Sequence, residues 1–185
     1  MTALMCEPEN AVLMNDSVFE QLDESIQLIH EDAAINVESL KNSAREEASI
    51  LLVEYARLFI GPFKVLAPPY ASVYFGETQL NNEITDMVKA YYEKAGLIFE
   101  EASNDLPDHI AVETEFLQFL AAAASRDSEE SRMAESVDFS ELYLDFLKNH
   151  YQKWVPAFCN SVIKQTYSEF YKKLFSILGR VISAF

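Results

Sequence analysis

The chain has 185 residues, half of them hydrophobic and 12% aromatic, so it can bury a sizeable core and is not a disordered segment. Its net charge of −16 and pI near 4.5 exclude the basic face that nucleic-acid binding requires, and they favour a basic partner. Only 4 glycines and 6 prolines disfavour a turn-rich β architecture.

Charge is uneven along the chain. Residues 1–50 hold 11 Asp or Glu against 2 Lys or Arg, a net of −9, while residues 153–185 hold 5 Lys or Arg against 1 Glu, a net of +4. Two solvated helix faces of opposite sign that lie near each other account for this pattern. Cys6 and Cys159 are too far apart in sequence to imply a disulfide framework, and a reducing cytoplasm suits them. The first residues, Met1-Thr2-Ala3-Leu4-Met5-Cys6-Glu7, have neither the basic start nor the apolar core of a secretory signal. No apolar run approaches the ~18 residues that a membrane span needs.

Residues 1–16 are expected to be a flexible terminus, followed by a single all-helical domain over 17–185. Asp16 or Ser17 can cap a helix to about His30, with Phe19, Leu22, Ile26 and Ile29 on one stripe. A second helix is predicted from about Asn36 to Ile60. Its first half is amphipathic; its second half is apolar nearly all round and is expected to be buried. Glu54 and Arg57, at i and i+3, should pair. Gly61-Pro62 ends this helix, because glycine accepts a left-handed backbone and proline cannot continue the ladder.

An irregular connector with two prolines and two tyrosines follows, then a helix from Thr78 or Gln79 to Ala95, stopped by Gly96. Leu97-Ile98-Phe99 reads as a short extended piece. Asp105 is expected to cap the next helix, with Pro107 in its first turn. Residues 125–136 read as a loop or a solvated helix end. A helix over 139–150 and a long one over 155–178, with Pro156 in its first turn, complete the chain. The prediction is an all-α bundle of about six or seven helices, with no strand and no repeat.

Catalytic signatures are missing. There is no P-loop, GxGxxG, GxSxG, CxxC or HExxH, and the three histidines lack zinc-site spacing. His109 and Glu113, four apart, could face one cavity as metal ligands, but a hydrogen-bonding pair is the commoner use of that spacing.

Three blocks in order give the chain its resemblance. The first is Tyr55-Ala56-Arg57-Leu58-Phe59-Ile60-Gly61-Pro62 with Pro68-Pro69-Tyr70-Ala71-Ser72-Val73-Tyr74 downstream. The second is Pro107-Asp108-His109-Ile110 with Glu113 and Phe116-Leu117. The third runs from Phe146 to Phe158 and includes His150, Trp154 and Pro156. Together they resemble the TorD/DmsD family of cytoplasmic chaperones for molybdenum-containing oxidoreductases.

The resemblance implies a TorD-like all-helical fold and no enzymatic activity. It implies binding of the twin-arginine signal peptide of a client subunit, or of the apo client, until the molybdopterin cofactor is installed. That cofactor belongs to the client; none is expected here. The client's catalytic subunit and leader are the implied partners, and twin-arginine translocon components are further candidates, with the chain a monomer or homodimer.

Carried over by position, the signal-peptide site comprises Leu58, Phe59, Phe63, Pro69, Tyr70, Ser72, Tyr74, Asp108 and His109. Where some relatives have tryptophans, this chain has Phe63, Tyr70 and Tyr74. Asp108 would accept a guanidinium, the tyrosines would offer ring faces, and Leu58, Phe59 and Phe63 would line an apolar part. The rival reading is an acidic helical scaffold that binds the folded catalytic subunit without its leader. A small enzyme or cofactor carrier built on His109 and Glu113 is a third.

Overall fold

The computed structural model describes residues 2–29, 36–61, 64–76, 83–99, 106–126 and 137–185. Seven helices of eight residues or more, three single turns and two π turns make up the regular structure of these residues. Among them there is no strand beyond one isolated bridge, Tyr70 with His109. The chain forms two compact units: Met1–Pro68 with Pro156–Phe185, and Pro69–Val155.

In the first unit, two short helices, α1 (Thr2–Met5) and α2 (Asn10–Leu13), occupy the stretch expected to fray. Their Leu4, Met5 and Leu13 are buried. Helix α3 (Asp16–Ile29) is capped by Asn15, whose Oδ1 accepts from the Ser17 N–H at 3.1 Å. Asp16, expected to be a cap, instead accepts from Lys41 at 2.6 Å and Arg45 at 2.7 Å on α4 (Val37–Tyr55). Asn36 caps α4 through the Ser39 N–H at 2.7 Å.

The apolar second half of α4 is not buried all round. Leu51 and Leu58 are buried, but Ile50, Leu52 and Val53 are 53%, 50% and 71% exposed, and Ile60 beyond them is 60% exposed. Neighbouring helices cover only one stripe of α4, and the opposite face has no partner among the described residues. After Tyr55 the helix widens into a π turn, Ala56–Ile60, closed by the Gly61 N–H on the Ala56 carbonyl at 2.7 Å. Gly61 has φ 55°, and a Cβ there would sit 2.6 Å from the Lys64 carbonyl oxygen.

The C-terminal part departs from the predicted pattern. Helix α8 (Phe139–Phe146) runs through a second π turn, Leu147–Tyr151, directly into α9 (Gln152–Gln165), so Pro156 lies inside a helix and does not start one. The break falls at residues 166–168, before α10 (Glu169–Ser183). Two carboxylates from α4 hold it. Glu54 accepts from the Thr166 hydroxyl at 2.7 Å and the Tyr167 N–H at 2.8 Å, and Glu47 accepts from the Glu169 N–H at 2.9 Å. The acidic and basic ends of the sequence meet in this unit, where Lys173 on α10 donates to the Ser39 carbonyl and the Ser43 hydroxyl of α4.

In the second unit, α5 (Ala71–Tyr74), α6 (Glu83–Lys94) and α7 (Ile110–Arg126) join α8. Gly96, at φ 76°, ends α6: its N–H reaches the Glu93 carbonyl and the Leu97 N–H reaches Tyr92, a Schellman stop. Tyr92, Phe116 and Phe146 form an edge-to-face core, with ring centroids 4.6 and 5.0 Å apart. The predicted caps Thr78 and Asp105 lie outside the described residues, as does most of the predicted 125–136 loop. Helix α7 starts only at Ile110, because Pro107 and Asp108 form a turn before it.

Candidate functional site

The second unit brings the Pro-Pro-Tyr connector against the entrance of α7. The Ile110 N–H donates to the Pro69 carbonyl at 2.8 Å, and the Ala71 N–H donates to the Asp108 carbonyl at 2.9 Å. Between them Tyr70 and His109 pair as the isolated bridge, with rings 5.2 Å apart at 66°. Asp108 Oδ2 accepts from the Ser72 N–H at 3.0 Å, and Oδ1 from the Thr85 hydroxyl at 3.4 Å. Asp108 thus caps the first turn of α5 with both its carbonyl and its carboxylate, and it is wholly buried. The His109 ring caps its own helix: Nδ1 accepts from the Ala111 N–H at 3.2 Å.

Beneath this joint lies a buried polar cluster. Glu113 Oε1 is 2.6 Å from His150 Nε2, and Oε2 accepts from the Trp154 indole N–H at 2.9 Å. The carboxyl and the imidazole are both fully buried. Burial pushes the Glu113 carboxyl up to about 7; the His150 and Trp154 contacts oppose the rise, and Asp108 adds to it. The connector roofs this cluster. The Phe75 ring stacks on His150 at 5.5 Å and 17°, and the Tyr74 ring lies 5.6 Å from Trp154. Alongside, the Thr114 and Tyr151 hydroxyls are 2.6 Å apart.

A family model described as the nitrate reductase delta subunit matches residues 16–160. The chain belongs to this family. The TorD chaperone of Photobacterium profundum is 32% identical over 133 residues, covering 68% of this chain and 60% of that protein. The Vibrio cholerae TorD chaperone is 28% identical, covering 62% and 51%. The chain thus spans between half and two thirds of the length of these relatives. A solved protein from Archaeoglobus fulgidus, assigned to redox enzyme maturation, shares the fold with a TM-score of 0.62 at 22% identity, over 98% of this chain and 89% of that one.

Within this chain the expected site residues fall into two sets. Pro69, Tyr70, Ser72, Tyr74, Asp108 and His109 come together at the α5–α7 joint. Tyr70 and Tyr74 are half-buried there, while Pro69, Ser72, Asp108 and His109 are buried. Leu58 and Phe59 belong to the first unit. Leu58 is buried, and its carbonyl accepts the Leu66 and Ala67 N–H groups at 3.1 and 2.9 Å. Phe59 packs among Tyr55, Phe158, Tyr171 and Phe175 at 5.1–6.1 Å. Both side chains act in that core. Phe63 lies outside the described residues.

Asp108, expected to offer its carboxylate to an arginine, has both oxygens engaged inside the protein. The Glu113 carboxylate turns to His150 and Trp154, and His109 Nδ1 to the Ala111 N–H. Among the described residues no group of three or more His, Cys, Asp or Glu is placed to hold a metal. Sequence reading missed the Glu113–His150–Trp154 cluster. Its members stand in the second and third motif blocks, and polar residues in otherwise apolar helices were the available signal.

Proposed function

We propose that this delta-subunit family chain is a cytoplasmic chaperone, not an enzyme, that binds the twin-arginine leader or apo form of a molybdopterin oxidoreductase until its cofactor is in place. The observation carrying this reading is the α5–α7 joint, where the connector tyrosines and the Asp-His turn of separate motif blocks are tied together. The chaperone names of its relatives agree with it.

At the joint, the half-buried Tyr70 and Tyr74 rings offer faces to arginine, each worth roughly 0.5–2 kcal/mol depending on desolvation. Asp108 positions Ser72 and the start of α5 beneath them. The −16 charge draws a basic leader inward and makes its arrival salt-sensitive. The molybdopterin stays with the client.

The exposed Ile50 and Val53 on α4, and Ile60 on the π turn that follows it, favour a second reading, in which the chain grips the folded catalytic subunit independently of its leader. A pull-down with client that has or lacks its leader separates the two. With client that is folded and cofactor-loaded, the chaperone reading predicts that capture is lost when the leader is removed. Full retention by leaderless client would establish the scaffold reading in its place.

A further inference from the structure

In the second unit a cavity of about 310 Å³ opens between the end of α6 and one face of α7. Val112, Glu115, Phe116 and Phe119 line it at i, i+3, i+4 and i+7, so they form one helical stripe. Ile98 and Phe99, held in place by the Gly96 stop of α6, make the facing wall, and Tyr92 forms the floor. Tyr92 and Phe116 are buried, whereas Ile98 on the rim is 89% exposed. An aromatic floor under a bare aliphatic rim is the surface of an anchor pocket, and its volume suits side chains from a partner.

Glu115 is the only charged residue in the lining, and it makes no ion pair among the described residues. We infer that this cavity docks an apolar segment of a client protein with a cation beside it. On the function proposed above, that segment is the apolar stretch next to the leader's arginines. A second copy of the chain is the poorer occupant, because two chains of −16 repel. The inference rests on the leader-binding reading but concerns different residues from the Tyr70–His109 joint.

The test uses the full chain, labelled at isoleucine methyls, with a synthetic peptide carrying Arg-Arg followed by a leucine-rich stretch. Titration is expected to shift the Ile98 δ1-methyl signal. Ile98→Ser is expected to weaken binding about tenfold and Glu115→Gln about threefold, the latter effect fading in high salt. Both side chains are exposed, so neither substitution threatens folding. A peptide with serines for leucines should leave the Ile98 signal unmoved. If the arginine-leucine peptide binds wild type and Tyr70→Ala weakens it, while Ile98 stays still and both cavity variants bind normally, the cavity has no such role and the leader reading stands. No binding of that peptide to wild type would overturn both.

Discussion

Glu113 is a fully buried carboxyl, and its proton is therefore linked to stability. Its folded value of about 7 lies above the ordinary 4.5, so the folded chain holds more protons than the unfolded one between those pH values. The stabilisation is complete below about 4.5 and is lost as pH rises through about 7. Glu113→Gln removes that titration, and its urea midpoint should be flatter than wild type between pH 5 and 8. Equal slopes for the two proteins would show that Glu113 is not the linked group.

Glu54 behaves in the opposite sense. Burial alone would raise its carboxyl, but the Arg57 guanidinium at 2.7 and 2.8 Å, the Thr166 hydroxyl and the Tyr167 N–H hold it down at about 2. Its contribution is present above about 4.5 and lost as pH falls through about 2. Glu54→Gln should cost about 2 kcal/mol at pH 7 and much less near pH 2, measured by chemical denaturation. The Glu54–Arg57 pair was legible from i, i+3 spacing. The partners on 166 and 167 were not, because they lie more than a hundred residues downstream.

At the scale of elements, caps and stops decide where helices end. Gly61 combines a positive φ with a backbone carbonyl 2.6 Å from where a Cβ would stand. Gly61→Ala should therefore destabilise by roughly 1–3 kcal/mol and lower the thermal midpoint, whereas Gly76→Ala, with open space around it, should cost less. Similar shifts for both would mean that the Lys64 contact has no weight.

The Gly61 and Gly96 stops were readable because glycine marks a left-handed backbone. The break at residues 166–168 was not, since Thr166, Tyr167 and Ser168 form a stop only when α4 supplies Glu47 and Glu54. Pro156 pointed to the wrong boundary for a related reason: the preceding π turn leaves no signature in hydrophobic spacing. The apolar run around Ile50–Val53 correctly marked a helix, but composition cannot reveal that neighbours cover only one side.

For the whole molecule, the all-helical class was legible in the helical spacing of apolar residues, whereas the motif blocks named the Pro69–Tyr74 connector and the Asp108-His109 pair without showing that they meet. The division into two units was not legible, because no composition shift marks residue 68 or 156. That division matters for the site. Leu58 and Phe59 are motif residues, yet their visible work is packing in the first unit, whereas the reachable tyrosines stand in the second.

The leader-binding claim is tested most directly by calorimetry of the full chain with the twin-arginine leader of a molybdoenzyme encoded beside it, against the same peptide with two lysines. Arginine's planar group stacks on tyrosine better than an ammonium does. The account therefore predicts binding that weakens severalfold for the lysine peptide and for Tyr70→Ala, and that falls with added salt. No heat of binding to the leader under low-salt conditions, or equal affinity for the two peptides with no effect of Tyr70→Ala, would contradict it.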